Sequence, residues 1–304
     1  MKRFRRRNTR LKKDMFVLLY DKISSKMASH TVKIINFFRF MKEMSCFLRK
    51  KQDLLVTLHS LKDFAMVIST QIKEVLSRTQ PGVVLTISDF GVQAAYQPAL
   101  VKALNRLVTS QELQKISKGK YYKPRKTIFG ELKPDDCEIV KDFLEKRGKT
   151  VGYITGTAAF AAMGLTTQIT SAITIGTNKY RRPLMRGAYK VTFLLQPNEI
   201  TEVNIPLLRI LDAIRLIREI PATTPDESVA ILMKLIRNLD EDSQKKLIKL
   251  ALPYTQYVRA LLGAMLESIG KDAGELRETL NGVTSYKLSI SEPALQSKSN
   301  WNII

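Results

Sequence analysis

The clearest pattern of hydrophobic and polar positions lies between residues 96 and 124. From Pro98 onward, hydrophobic side chains recur every three or four residues, which predicts an amphipathic helix. Proline suits the first helical position because the N–H that it lacks would have had no partner there. The predicted packing face consists of Leu100, Val101, Leu104, Leu107 and Val108.

Two short β-like runs, residues 113–116 and 120–123, follow this helix, and a Ser-Lys-Gly turn joins them. Glycine supplies a backbone conformation that other residues avoid, so these runs predict a small hairpin. Its tip is rich in lysine. Upstream, the pattern predicts a helix over residues 66–76, a strand over 83–87 that pairs with the hairpin, and a short helix that Ser88 caps.

This order of elements predicts a winged helix-turn-helix over residues 66–124. The free side of the helix carries Lys102, Asn105 and Arg106, and a helix of this kind fits the major groove. The hairpin, or wing, would present Lys115, Lys118 and Lys120 to phosphates. The alternative is an ordinary helix and hairpin with a solvated basic face, and the pattern alone leaves both open.

Residues 125–134 are predicted to be a linker, and residues 135–304 a second, mixed α+β domain that ends in a helical bundle. Thr224 and Glu227 have the spacing of a capping box, which marks a helix start. The predicted fold class is therefore α+β. The predicted helices of the second domain span residues 135–147, 157–163, 205–218, 225–239, 243–252 and 254–269, and the β-like runs span 151–154, 173–176 and 189–195.

The formal net charge of +22 is unevenly distributed. Residues 1–65 hold 17 Lys/Arg and 5 Asp/Glu, residues 66–130 hold 10 and 3, and residues 131–304 hold 23 and 20. Such a concentration of charge around the wing is typical of nucleic-acid binding. Residues 1–65 form a basic extension with four interpretations: a DNA-contacting arm, a helical partner surface, a solvated tail, or sequence upstream of a true start at Met66.

Catalytic chemistry of the common kinds is missing from residues 66–304. Both histidines, His30 and His59, lie in the extension, and no GxxxxGK[ST] or GxGxxG motif occurs. Two cysteines, Cys46 and Cys137, cannot form a four-thiolate zinc site. The paired acids, such as Asp135/Asp136, precede helices and are interpreted as caps. We therefore expect no enzyme activity, no cofactor and no metal.

The chain has no predicted membrane segment. Residues 150–178 carry no charge, but eight threonines and four glycines make them too polar for a lipid-facing helix. The start of the chain is not interpreted as a signal peptide because Asp14 and Asp21 interrupt its apolar run. A cytoplasmic location is expected.

A second basic cluster lies outside the predicted winged domain, and no acid interrupts it. It is interpreted either as a solvated hairpin, or as a surface for an acidic protein partner or for additional phosphates. Its members are Lys179, Arg181, Arg182, Arg186 and Lys190.

The segments GYITGTAAFAAMGLTTQITSAITIGTN, RRPLMRG, NIPLLRILDAIRLIREIP and LPYTQYVRALLGAMLE, together with KALNRLV and KISKGKYYKP, resemble the AbiE-type antitoxins of bacterial type IV toxin–antitoxin systems. The resemblance extends over about residues 66–304, to an uncharacterised branch of these antitoxins. It implies a winged helix-turn-helix that binds inverted repeats in double-stranded DNA, with two protomers per site, and represses its own operon. It also implies a second domain that neutralises a nucleotidyltransferase toxin in phage defence.

The resemblance transfers DNA contacts only to the helix and the wing. Residues that would face bases and nearby phosphates are Tyr96, Gln97, Lys102, Asn105 and Arg106; those that would hold the backbone are Lys115, Ser117, Lys118 and Lys120. Two other functions stay open: a transcriptional regulator whose second domain senses a small molecule, and, against the missing catalytic groups, a nucleic-acid enzyme.

Overall fold

The computed structural model describes residues 39–45, 66–128 and 130–304. The chain divides into two compact units, residues 1–73 and 74–304. Helix α1 spans residues 39–45 and helix α2 spans 66–78, close to the predicted 66–76. Most of the predicted extension lies outside the described residues.

A three-stranded antiparallel sheet opens the second unit. Strand β3 (Lys120–Tyr122) lies between β1 (Val84–Thr86) and β2 (Gln114–Ser117), and Leu85 is the register partner of Tyr121. The predicted pairing of the first strand with the hairpin is therefore confirmed. Helix α3 spans Gln97–Thr109, one residue longer at its start than predicted.

The short second helix that was predicted to begin at Asp89 is replaced by two 3-10 helices, Ile87–Phe90 and Ala94–Tyr96. Thr86 rather than Ser88 is the cap, because its N–H donates to Asp89 Oδ2 at 2.7 Å. Gly91 follows with a φ of 63°, and this left-handed conformation ends the first turn at once.

Residues 125–134, predicted to be a linker, form the hairpin of β4 (Arg125–Thr127) and β5 (Gly130–Leu132). Helix α4 (Asp136–Leu144) ends before the predicted Arg147 because a second hairpin follows it. Arg147 and Gly148 both have positive φ, 53° and 72°, which is the geometry of a tight two-residue turn. This turn joins strands β6 (Glu145–Lys146) and β7 (Lys149–Thr150).

A four-stranded sheet forms the centre of the second predicted domain, in the order β10-β11-β9-β8. Strands β9 and β11 run parallel, and the other two pairs are antiparallel. Strand β11 has the predicted bounds. The strands are β8 (Gly152–Thr155), β9 (Ala172–Thr177), β10 (Leu184–Arg186) and β11 (Tyr189–Leu195), and helix α5 (Thr157–Ala162) follows β8.

The predicted helical bundle is present, with the capping box at its second helix. Thr224 Oγ1 accepts from the Glu227 N–H at 3.3 Å, and Glu227 Oε2 accepts from the Thr224 N–H at 2.9 Å. Near the end of the chain, Trp301 lies so close to Gly263 that a Cβ there would collide with its ring. The helices are α6 (Ile205–Arg215), α7 (Pro225–Arg237), α8 (Glu241–Ala251), α9 (Gln256–Ser268) and α10 (Gly274–Glu278). The fold class is α+β, as predicted.

The two sheets share one hydrophobic core within the second unit. Val84 and Ile116 of the three-stranded sheet belong to the same buried cluster as Ile139 of α4, Ile175 of β9 and Val191 of β11. The predicted linker therefore does not separate two independent cores. Among the described residues, no helix has both the length and the apolar character that crossing a bilayer requires.

Candidate nucleic-acid interface

Helix α3 has one buried and one exposed face. Leu100 and Leu104 are 0% exposed, whereas Lys102, Asn105 and Arg106 are exposed. Because positions four apart lie on the same side of a helix, Lys102 and Arg106 form one basic stripe. No Asp or Glu occurs between Gln97 and Thr109, so nothing on the helix neutralises this stripe.

The cations of α3 have no ionic partner within the described part of the chain, where neither Lys102 nor Arg106 forms a salt bridge. The Asn105 side chain is fixed from the sheet side, because the hydroxyl of the buried Tyr121 of β3 donates to its Oδ1 at 3.3 Å. At the start of the helix, Gln97 is exposed and Tyr96 is half-buried. The outward face therefore combines two free cations with an amide of restricted orientation.

The β2–β3 hairpin adds two exposed lysines, of which Lys115 lies on the α3 side of the sheet. The Lys115 ammonium lies 5.9 Å from the centre of the Tyr121 ring. Lys118 is exposed in the turn, next to a half-buried Ser117. Gly119 has a φ of 74°, a left-handed conformation that glycine adopts without strain and that closes this turn.

Lys120, also predicted to contact phosphates, is instead used inside the protein. Its side chain is 15% exposed, and its Nζ lies 2.6 Å from Asp142 Oδ1 of α4. Burial lowers the pKa of the Lys120 ammonium, and the carboxylate of Asp142 opposes that shift. Successive residues of a strand point to opposite faces, so Lys120 points away from Tyr121 and α3.

Arg186 of the second basic cluster shares the same carboxylate. Its guanidinium donates to both Asp142 oxygens at 2.5 and 2.6 Å, and also to the Ile139 carbonyl. Burial alone would raise the pKa of the Asp142 carboxyl, but the hydrogen bonds from Arg186 and Lys120 outweigh burial and hold it below its ordinary value. Lys120, Asp142 and Arg186, the ion triad, thus join the three-stranded sheet, α4 and β10.

The structure separates the remaining members of the second basic cluster. Lys179, Arg181 and Arg182 are exposed in the loop before β10. Lys190 pairs in register with Met185, and its neighbour Val191 faces the α4 core, so Lys190 projects from the opposite face of the sheet. The predicted cluster therefore consists of an exposed loop, one internal arginine and one remote lysine.

Comparison with known proteins places the chain in a family. A family model described as a family of unknown function (DUF6088) matches residues 71–242, more than half of the 304 residues. The chain belongs to the DUF6088 family. The match includes α3, the wing, the ion triad and the loop before β10.

Among solved structures, the crystal structure of the RV2827C protein from Mycobacterium tuberculosis is similar to this DUF6088 chain, with a TM-score of 0.44 and 14% sequence identity. The match covers 78% of this chain and 90% of that one. The curated proteins contain no match.

A buried polar network, which the sequence did not reveal, lies behind the four-stranded sheet of the DUF6088 chain. Asp212 of α6 is 0% exposed and accepts hydrogen bonds from the hydroxyls of Tyr153, Thr155 and Tyr254 at 2.6, 2.8 and 3.2 Å. The Gln196 amide donates to both tyrosine hydroxyls, which directs their protons toward the carboxylate. Burial raises the pKa of the Asp212 carboxyl. Burial, reinforced by the charge of Asp212, also raises the pKa of each tyrosine.

The network joins β8 and α6 to Tyr254 in the turn between α8 and α9, so it fixes the sheet of this chain against the bundle. Its signal in the sequence was an acid in the apolar stripe of α6, because Asp212 lies four residues after the buried Leu208. Buried polar groups require partners, so such an acid predicts a hydrogen-bonded site even when the partners are distant in sequence.

The second predicted domain also has open clefts. One of about 390 Å³ is lined by Cys137, Tyr153, Glu202 and Arg209, among others, and one of about 430 Å³ lies beside α8. Charged side chains line both clefts, among them Glu202 and Arg209 in the first and Lys245 and Lys271 in the second. Within the described residues, no three His, Cys, Asp or Glu side chains are arranged to hold a metal ion.

Proposed function

We propose that the protein binds double-stranded DNA through a winged helix-turn-helix formed by α3 and the β2–β3 wing. The observation that carries this proposal is the exposed, acid-free face of α3 beside a lysine-bearing hairpin, with Lys102 and Arg106 forming no salt bridge to any residue that the structure describes. Exposed cations without partners keep their charge available for a polyanion. When they neutralise phosphates, the counterions condensed on the DNA are released, and this release drives association.

The dimensions and side chains of α3 suit the major groove. A helix of 13 residues is about 20 Å long, and the groove admits one α-helix. Asn105 and Arg106 are of the types that make paired hydrogen bonds to adenine and guanine edges. The hydrogen bond from Tyr121 limits the rotamers of Asn105, so less conformational entropy is lost when it contacts a base.

The wing supplies backbone contacts in this arrangement. Lys115 and Lys118 hold phosphates, which fixes the register of α3 without reading sequence. Lys120 is not among these contacts, because its ammonium already neutralises Asp142. The DNA contacts proposed for the wing thus reduce to two lysines and the Ser117 hydroxyl.

The biological role that we propose is that of an antitoxin that represses its own operon. It rests on the resemblance to AbiE-type antitoxins, with residues 135–304 neutralising a nucleotidyltransferase toxin. Operators of this type are inverted repeats, so two protomers bind each site.

The DNA-binding proposal is tested by fluorescence anisotropy with the double variant Lys102→Gln/Arg106→Gln and DNA from upstream of the gene. The matched control is Lys245→Gln/Lys249→Gln, which removes two exposed cations of the same spacing from α8. We expect the α3 variant to lose at least tenfold in affinity and the α8 variant to stay within twofold of the wild type. Equal losses in both variants would reject α3 as the DNA-binding element.

The antitoxin role is tested separately by expressing the adjacent reading frame with and without this protein. We expect the adjacent product to arrest growth alone and growth to recover on co-expression. If the adjacent product is harmless alone, the antitoxin role fails.

A further inference from the structure

A second exposed basic segment, residues 178–183, lies between β9 and β10 and is called here the basic loop. It carries Lys179, Arg181 and Arg182, and Tyr180 is 80% exposed. No Asp or Glu occurs from Thr150 to Asn198, so the loop has no neutralising acid near it in sequence. Its charge is therefore available to an external anion.

One side chain of the basic loop is fixed by aromatic contacts. The Arg181 guanidinium lies 5.2 Å from the centre of the Phe143 ring and 6.0 Å from that of Phe193. The centres of the Phe143 and Phe193 rings are 5.1 Å apart, and the two rings pack edge to face. These two contacts hold the Arg181 side chain against α4 and β11, and a guanidinium can make paired hydrogen bonds to phosphate oxygens.

The basic loop is also tied to the wing. Phe143, which carries Arg181, directly follows Asp142, the carboxylate that binds Lys120 of β3 and Arg186 of β10. The turn after β10 touches the wing as well, because a Cβ on Gly187 would lie 3.2 Å from the Ile116 carbonyl oxygen. Ile116 and Lys120 flank the turn of the wing, so these contacts fix β10, the strand that follows the basic loop, next to that turn within one compact unit.

We propose that the basic loop is a second phosphate-binding site, on the same DNA duplex that α3 and the wing contact. This inference rests on the proposed function. DNA presents about one charge per 1.7 Å of its axis, so a duplex that extends past the wing offers phosphates continuously to the neighbouring loop. Lys179 and Arg182 bind these phosphates through their exposed charges, and Arg181 binds through the guanidinium that contacts the two rings. The ion triad sets the distance between the loop and the wing.

The proposal predicts that the loop contributes to affinity without contributing to sequence specificity. The test compares Lys179→Gln/Arg182→Gln with the wild type on a long duplex, on a duplex trimmed to the α3 site, and on unrelated DNA. Arg181 is left intact because it packs on two rings. The control is Lys190→Gln/Lys245→Gln, which removes the same charge from exposed positions outside the loop, Lys190 on the opposite sheet face from the α4 core and Lys245 on α8.

On the long duplex we expect the slope of log affinity against log salt to become shallower by about 1.8 in the loop variant, since each phosphate contact contributes about 0.9. The same change is expected on unrelated DNA of that length. On the trimmed duplex the loop variant and the wild type should bind alike, and the control should match the wild type on all three.

The experiment separates failure of the basic loop as a phosphate site from failure of DNA binding by α3 and the wing. If the wild type binds DNA and the α3 variant does not, but the loop variant keeps the wild-type slope, then the loop does not contact phosphates. If that variant instead loses capture of the adjacent operon product, the loop binds an acidic protein. If the wild type binds no duplex at low salt, both proposals fail together.

Discussion

The two faces of the three-stranded sheet use their cations in opposite ways. On the α3 side, Lys115 lies over the Tyr121 ring and stays exposed, as Lys102 and Arg106 of α3 do. On the other side, the half-buried Lys120 and the buried Arg186 both pair with Asp142. The net charge of +22 is therefore larger than the charge available to a ligand, and within this sheet the exposed strand lysine lies on the α3 side.

Strand geometry explains the difference. Lys115 is the register partner of Tyr121, so both point to the α3 side, whereas Lys120 precedes Tyr121 and points the other way. Removing a cation from the α3 side should therefore affect DNA binding and leave stability unchanged. Removing a member of the ion triad should do the reverse.

The largest effect is expected for Asp142→Ala, which leaves two cations without their shared partner. Arg186 is only 8% exposed in its side chain, and breaking a buried ion pair costs several kcal/mol. Since Asp142 is itself 43% exposed, we expect a loss near the lower end, about 3 kcal/mol, in the free energy of unfolding by urea. The control Glu145→Ala removes an exposed acid just beyond α4 and should cost less than about 0.5 kcal/mol. Similar costs for both would contradict the role of the triad.

The same carboxylate predicts how the stability difference depends on pH. The folded state holds the pKa of Asp142 below its ordinary value, so the triad contributes its full stability above the unfolded pKa of about 3.9. That contribution is lost as the pH falls through the folded pKa. The difference in unfolding free energy between the wild type and Asp142→Asn should be constant near neutral pH and shrink below about pH 4. A difference that grows on acidification would contradict this assignment.

The sequence predicted the elements whose pattern is local and long enough to read. Helix α3 begins within one residue of its predicted start and strand β11 has its predicted bounds, because each repeats its hydrophobic period several times. The hairpins β4–β5 and β6–β7 were missed because strands of two or three residues contain no period.

Of the candidate site, the exposed face of α3 was predicted correctly, because it depends on local pattern. The exposed cations of α3 follow from helical spacing, but the burial of Lys120 and Arg186 depends on Asp142, 22 and 44 residues away. No periodicity encodes such a contact, so a free and a paired cation look the same in sequence. The clusters at Lys120 and Arg186 were for that reason predicted to be surfaces.

The next largest effect is expected on the α3 side, for Arg106→Ala. If Arg106 reads a base edge, its loss should weaken operator binding by about 2 kcal/mol and relax the preference at one base pair. The unfolding free energy should not change, because the side chain is exposed and has no ion pair among the described residues. Anisotropy with single-base operator variants measures both effects. A variant that binds the operator like the wild type would remove Arg106 from the reading residues.

A smaller and more uniform effect is expected for Lys118→Ala at the tip of the wing. A phosphate contact carries no sequence information, so affinity should fall alike for operator and unrelated DNA, by about tenfold at low salt. The salt slope should become shallower by about 0.9. The comparison is Lys190→Ala, an exposed lysine on the far face of the other sheet, which should leave the slope unchanged. A loss confined to the operator would show that Lys118 reads sequence instead.

The smallest effect on DNA binding is expected for Lys120→Gln, only two residues from Lys118. This variant removes one of two cations from Asp142 while Arg186 keeps its paired hydrogen bonds, so the unfolding free energy should fall by about 1 kcal/mol. The salt slope on any duplex should equal that of the wild type, because the ammonium faces α4 and not the ligand. Loss of Lys118 would then weaken DNA binding without lowering stability, and loss of Lys120 would lower stability without weakening DNA binding. A slope as shallow as that of Lys118→Ala would mean that Lys120 leaves Asp142 to reach a phosphate, and the separation of the two faces would no longer hold.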